Sequence, residues 1–152
     1  MDKKKLSERD ICSKFINPAL EQAGWTAHQI REEVTFTNGQ IMVRGKLHTR
    51  GERKRADYVL YYKKNIPLAV IEAKDNNHSL GSGMQQALAY ADCLQVPFVF
   101  SSNGDGFLFH DQTGLFGKVE QELELDEFPS PERLWKLYEQ YNGLTTPESK
   151  QI

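Results

Sequence analysis

Along the first part of the chain, apolar residues recur at helical spacing. Ile11, Phe15, Ala19, Leu20 and Ala23 fall on one face, which predicts an amphipathic helix over residues 6–23. Ser7, with Asp10 three residues on, reads as an N-cap with a capping-box variant, and Gly24 as the stop. Pro18 has no N–H to give and should kink or divide this helix. The spacing then shortens to two. Strands are predicted over Gln40–Leu47, after an Asn38-Gly39 turn, over Ala56–Tyr62 and over Leu68–Lys74, with Lys63–Pro67 as the turn between the last two. Helical spacing returns over Ser82–Leu94, through Met84, Leu88 and Ala91. Two further strands, Pro97–Phe100 and Gly106–His110, flank an Asn103-Gly104 turn. Ser130 at N-cap and Pro131 at N1 open a last helix, whose apolar residues are Leu134, Trp135, Leu137, Tyr138 and Tyr141; the tail after Gly143 is polar and expected to be loose. The predicted order α-β-β-β-α-β-β-α is that of an α/β fold, a mixed sheet with helices packed on it.

At 152 residues the chain is long enough for one domain with a real core, and residues 1–152 are read as a single domain. No stretch approaches the roughly 18–20 apolar residues of a membrane span. The charged start MDKKKLSERD lacks the apolar region of a secretory signal, so a cytoplasmic location is expected. Cys12 and Cys93 form no CxxC pair; both are expected to be buried free thiols. The net charge of -2 hides an uneven distribution. Arg44–Arg55 is strongly basic and Glu120–Glu127 strongly acidic. A local basic patch holds a phosphate backbone whatever the total charge, and Arg50, Arg53, Lys54 and Arg55 are the candidates. His48, His78 and His110 have no metal-like spacing and are read as ordinary polar residues.

Period two places Val70, Glu72 and Lys74 on one face of their strand and Ile71 and Ala73 on the other. The short turn before this strand implies an antiparallel hairpin, so Asp57, at the start of one strand, lies beside Glu72 and Lys74, at the end of the other. An isolated Glu-x-Lys is usually a surface ion pair; a second carboxylate beside it changes the chemistry. Two adjacent carboxylates repel unless a proton or cation joins them. Mg²⁺, a hard cation that keeps several waters, suits such a pair. Hydrolysis of a phosphodiester needs that kind of ion, and Lys74 would orient the attacking water or offset charge in the transition state.

Asp57…Glu72-Ala73-Lys74 resembles the PD-(D/E)xK nuclease motif, with Ala56 where the proline stands. Arg55–Leu60, Ala69–Lys74, Gln86–Tyr90 and Phe128–Trp135, in this order, resemble the N-terminal nuclease region of type I restriction endonuclease R subunits over nearly the whole chain. The resemblance implies a restriction-endonuclease-like fold and Mg²⁺-dependent cleavage of double-stranded DNA. It implies that Asp57, Glu72 and the Ala73 carbonyl bind the metal and that Lys74 is the catalytic lysine. Gln86 and Tyr90 match the family's QxxxY motif and would position DNA; their i, i+4 spacing puts them on one helix face. An acidic residue on the first helix is also implied near the metal, through water, and Glu8 is the choice. Ser101–Gly104 resembles a polar loop of the family and receives no catalytic role. R subunits carry an ATP-driven motor, but this chain has no phosphate-binding GxxxxGK[ST] loop, so it reads as a fragment of a longer subunit. ATP would then serve only the motor domains, and methylation and specificity subunits would be the partners. The rival readings are a free-standing RecB-like nuclease and a non-cleaving DNA-binding or assembly module of the same fold.

Overall fold

Two apolar layers on opposite faces of one sheet organise the chain. The computed structural model describes residues 2–37, 40–41 and 54–143. Its elements are α1 (Glu8–Ile11), a π-helical turn (Cys12–Ile16), α2 (Asn17–Gln22), β1 (Ile30–Thr37), β2 (Gln40–Ile41), β3 (Lys54–Lys63), β4 (Ile66–Ala73), α3 (Met84–Leu94), β5 (Phe98–Ser102), β6 (Phe107–Asp111), β7 (Glu120–Leu123) and α4 (Pro131–Tyr141). Among the described residues the sheet has seven strands in the order β2-β1-β3-β4-β5-β6-β7. Only β4 and β5 run parallel, and α3 supplies the crossover that a parallel pair requires. This is the expected α/β class.

One layer gathers Ile11, Ile16 and Leu20 from the N-terminal helices and Leu134 and Leu137 from α4, over Tyr58, Leu60, Ile71, Phe98, Phe100 and Phe109 of the sheet. The other sets Met84, Ala87, Ala91 and Leu94 of α3 on Val59, Val70 and Val99. Val70 between Ala69 and Ile71, and Val99 between Phe98 and Phe100, show the period-two alternation that divides the strands between the layers. Each fully buried large apolar side chain of this kind contributes about 1.5–3 kcal/mol.

The N-terminal helix divides where Pro18 demands it. A proline in an α-helix lacks the N–H for residue i−4, and its ring clashes with that carbonyl. The wider π turn just before it relieves the conflict, with the Asn17 N–H bonded to the Cys12 carbonyl. Tyr58, fully buried on β3, donates its hydroxyl to Asn17 Oδ1 at 2.6 Å and so fixes the π turn against the sheet. The Ser7–Asp10 capping box forms as expected. Gly24 closes the helix at φ 104°, with its N–H on the Glu21 carbonyl and that of Trp25 on Leu20, a Schellman motif. Ser130 caps α4 through the Arg133 N–H.

Several expectations need correction. β1 and β7 were not foreseen. β1 breaks its own alternation: Ile30 packs with one layer, Val34 and Phe36 with the other, and between them Glu33 takes a left-handed conformation, φ 53°. β7 lies within the acidic run, an edge strand whose Glu120 and Glu122 face solvent, a common protection of sheet edges. Of the strand expected over Gln40–Leu47, only Gln40 and Ile41 are within the described residues, and they do pair with β1. The turn of the central hairpin is shorter than expected, since Ile66 and Pro67 already belong to β4. Cys12 is buried, but Cys93 is only half-buried, with its sulfur 3.4 Å from Lys54 Nζ.

Gly106 stands just before β6, and a Cβ there would lie 2.5 Å from the carbonyl oxygen of Leu123 at the end of β7. That backbone cannot swing aside as a side-chain tip would. Gly106→Ala is therefore expected to cost about 1–3 kcal/mol, the range for overpacking. Thermal unfolding should show a midpoint lower by several degrees; an unchanged midpoint would mean that the two strands separate freely.

Candidate active site

The β3–β4 ladder pairs Tyr58 with Ile71 and Val59 with Val70, so its next level joins Asp57 to Glu72. At that level the side chains take over the bonding. The Ala73 N–H donates to Asp57 Oδ2 at 2.8 Å, and the Asp57 N–H donates to Glu72 Oε2 at 3.2 Å. Each carboxylate is thus held by the backbone of the other's strand. Lys74 follows β4 directly, and its N–H donates to the Ser102 carbonyl of β5 at 2.9 Å. The hairpin geometry inferred from the sequence is the observed one.

Glu72 is 2 % exposed. Burial first, and then the Asp57 carboxylate beside it, push its carboxyl up to about 10. The bond from the Asp57 N–H acts the other way but does not win. Glu8, at the start of α1, is also raised, by partial burial and then by Asp57; the Lys74 ammonium lowers it. Although exposed overall, Glu8 therefore faces the Asp57–Lys74 end of the hairpin. A cavity of about 230 Å³ opens there, lined by Glu8, Arg9, Cys12, Glu33, Arg55 and Asp57. Glu33, the left-handed residue of β1, sits between the pairings Glu32–Tyr58 and Val34–Ala56, at the level of Asp57. Such strain costs on the order of 1–3 kcal/mol and collects at functional sites.

The α3 side completes the site. Gln86 Nε2 donates to the Tyr90 hydroxyl at 2.7 Å, and the ring of Tyr90 packs edge-on against Phe36 at 5.2 Å. The hydroxyl of Tyr90 is raised, chiefly by burial, with Glu72 and Asp57 adding to the shift. The Tyr90 hydroxyl thus feels the charge of the carboxylate pair, and Gln86 is joined to that hydroxyl. Of the basic candidates, Arg50 and Arg53 lie outside the described residues. Arg55 lines the cavity with Asp57, whereas Lys54 turns away to Cys93 on α3.

Two residues outside the expected set, Gly83 and Ser101, position the site. Gly83, just before α3, rests on Glu72: a Cβ there would lie 3.2 Å from Glu72 Cβ and 3.2 Å from Ser101 Oγ. Ser101 pairs with Glu72 across the parallel ladder; its hydroxyl accepts the Gly83 N–H and donates to the Leu80 carbonyl. The polar residues ending the apolar run Phe98–Phe100 were the available signal. His78 is exposed. Its Nδ1 lies 3.0 Å from Asp75 Oδ1, and its ring lowers the carboxyl of Glu8. His110 pairs with Glu120 at the far edge, and His48 is outside the described residues.

The donor set fits a hard divalent cation in kind: paired carboxylate oxygens, one buried, whose charges coexist only with a proton or a cation between them. Among the described residues no three His, Cys, Asp or Glu side chains converge closely enough to hold an ion.

The family model for the N terminus of type I restriction enzyme R proteins matches residues 24–129. The type I restriction enzyme EcoAI endonuclease subunit of Escherichia coli is 51% identical over 142 residues, 92% of this chain. A solved fragment assigned to the HsdR subunit of a type I restriction enzyme from Vibrio vulnificus YJ016 superposes with a TM-score of 0.74 at 41% identity, over 91% of this chain. The chain spans 18% of the length of the first relative and 26% of the second.

The raised carboxyl of Glu72 makes a prediction about pH. Unfolded, Glu72 loses its proton near the ordinary glutamate value; folded and metal-free, it keeps that proton up to about pH 10. Between these limits the folded state binds the extra proton, so its stability falls as pH rises. Glu72→Gln, which is neutral throughout, should therefore raise the metal-free melting midpoint by several degrees near pH 8 and by almost nothing near pH 4. Melting curves across that range check it, and a difference independent of pH would contradict a shared proton.

Proposed function

From the premise that the chain belongs to the family of type I restriction enzyme R protein N termini, we propose that it hydrolyses DNA phosphodiesters as the cleavage domain of a restriction endonuclease subunit. The observation that carries the proposal is the reciprocal Asp57–Glu72 pair at the end of the central hairpin, with Lys74 one step beyond it. The bound ion would be Mg²⁺, which polarises the phosphate and lowers the pKa of water. Asp57 and Glu72 would hold it together with the Ala73 carbonyl, and Glu8 would reach it through water. Because cross-strand backbone bonds already fix both carboxylates, little ordering would remain on binding.

Lys74 would orient the attacking water or offset the negative charge that develops on the phosphate. Its backbone is tied to β5, so the ammonium works from a rigid base. Arg55, at the mouth of the cavity, would contact the DNA backbone, joined by Arg50 and Arg53 from the neighbouring segment. Gln86 and Tyr90 would position the substrate from α3, coupled through their own hydrogen bond. Sequence recognition would come from specificity and methylation subunits, and ATP would drive DNA delivery by motor domains of a longer polypeptide. No helix of the described residues is long and apolar enough to cross a membrane.

The test is Mg²⁺-dependent cleavage of plasmid DNA, with Mg²⁺ binding followed by calorimetry. Asp57→Ala is expected to lose both metal binding and cleavage. Lys74→Ala should keep metal binding and lose at least about 100-fold in rate, the scale for removing one transition-state partner. Metal binding that survives Asp57→Ala unchanged would refute the assignment of the pair.

A further inference from the structure

At the end of β3 farthest from Asp57 lies a second cavity, of about 420 Å³, lined by His28, Gln29, Arg31, Tyr62, Lys63 and Lys64. None of these is acidic. Among the described residues, neither His28, Arg31, Lys63 nor Lys64 forms an ion pair, whereas Lys3 and Arg9 are paired with Asp105 and Glu32. The chain as a whole is net negative. Basic side chains without an acidic neighbour in the lining thus share one cavity, Arg31 lying over the Tyr61 ring at 5.2 Å and Lys63 over the Tyr62 ring at 5.9 Å, and an anion stabilises such a cluster.

The cavity is also built rather than incidental. The β3–β4 register shifts at Leu60/Tyr61 and again at Tyr61/Lys63, an irregularity of the kind that re-aims side chains. Gln29 locks one wall: its side-chain amide donates to the Tyr62 carbonyl at 3.0 Å, while its backbone carbonyl accepts the Tyr61 N–H at 2.8 Å. Tyr62 is the inner end of an aromatic stack, parallel to Trp135 at 4.4 Å and an interplanar angle of 1°, with Tyr138 next at 5.6 Å. All three rings are half-buried. Cations beside a flat apolar wall suit a phosphate attached to a sugar and base.

We propose that this cavity binds a nucleotide unit of a DNA strand, with Arg31, Lys63 and Lys64 on the phosphate and Tyr62 against the sugar or base. Five residues of β3 separate Tyr62 from Asp57, about 17 Å at roughly 3.4 Å per residue. That is about five nucleotides of a duplex strand. Naming the strand as DNA rests on the function proposed above; the anion site does not.

The test is metal-free and independent of cleavage. Trp25 is 2 % exposed, so Trp135 is the tryptophan placed to report binding. A twelve-residue oligothymidylate is titrated while tryptophan fluorescence is followed, with Trp135→Phe to assign the signal. The double variant Lys63→Ala/Lys64→Ala should bind about tenfold or more weakly and lose about 1.4 from the log–log salt slope, at roughly 0.7 per phosphate contact. It should keep the Mg²⁺ affinity of the wild type. No fluorescence change, or equal affinity in the double variant, would overturn the site. Thymidine monophosphate competing as well as the oligonucleotide would overturn the strand and leave a free nucleotide as ligand.

Discussion

A slip of one residue in an antiparallel ladder sends every side chain to the opposite face, and in this chain such a slip would separate Asp57 from Glu72. The pairing of Tyr58 with Ile71 is therefore the constraint on which the site depends. Burial enforces it. Tyr58, Leu60, Ala69 and Ile71 fill one layer and Val59 and Val70 the other, so a shifted register would expose both sets. The carboxylate pair then closes the ladder with the two bonds that join Asp57 to Glu72 and Ala73. The hydrophobic core sets the chemistry's geometry without contributing an atom to it.

The same placement makes the pair an electrostatic problem. Glu72 is buried, faces a second carboxylate, and has a third, Glu8, acting on it from α1. Its supports are arranged for position rather than for charge relief. Ser101 and Gly83 pack α3 onto it, and Tyr58 holds the π turn that follows α1. A buried carboxyl so placed is stabilised by a proton or a cation beside it.

How much of this was legible in the sequence varies with the physical reason. The central hairpin was legible because its strands are dense apolar runs joined by a short turn. The caps Ser7 and Ser130 were legible because capping is a local hydrogen bond. β1 was not, because left-handed Glu33 moves Val34 and Phe36 to the other layer and erases a uniform period. β7 was hidden in an acidic run, since an edge strand needs only one apolar anchor, here Leu123. Among the site residues, the chemistry-bearing side chains were marked by their types and spacing. Ser101 and Gly83 were not, since their role exists only once α3 lies across β4. Cys93 looked like a core thiol until Lys54 was seen beside it.

The indole of Trp25 donates to the Pro129 carbonyl at 2.9 Å, and its ring meets Phe128 edge-on. This joins the stop of the N-terminal helix to the lead-in of α4, across 104 positions of the chain. A ribosome adds residues in order, so Trp25 has no acceptor until nearly the whole of the described sheet has been made. The hairpin bearing the carboxylate pair is complete, with its short-range contacts available, long before that. Assembly during synthesis thus has a built-in limit: the latch over one helical layer can close only after Pro129 has been made.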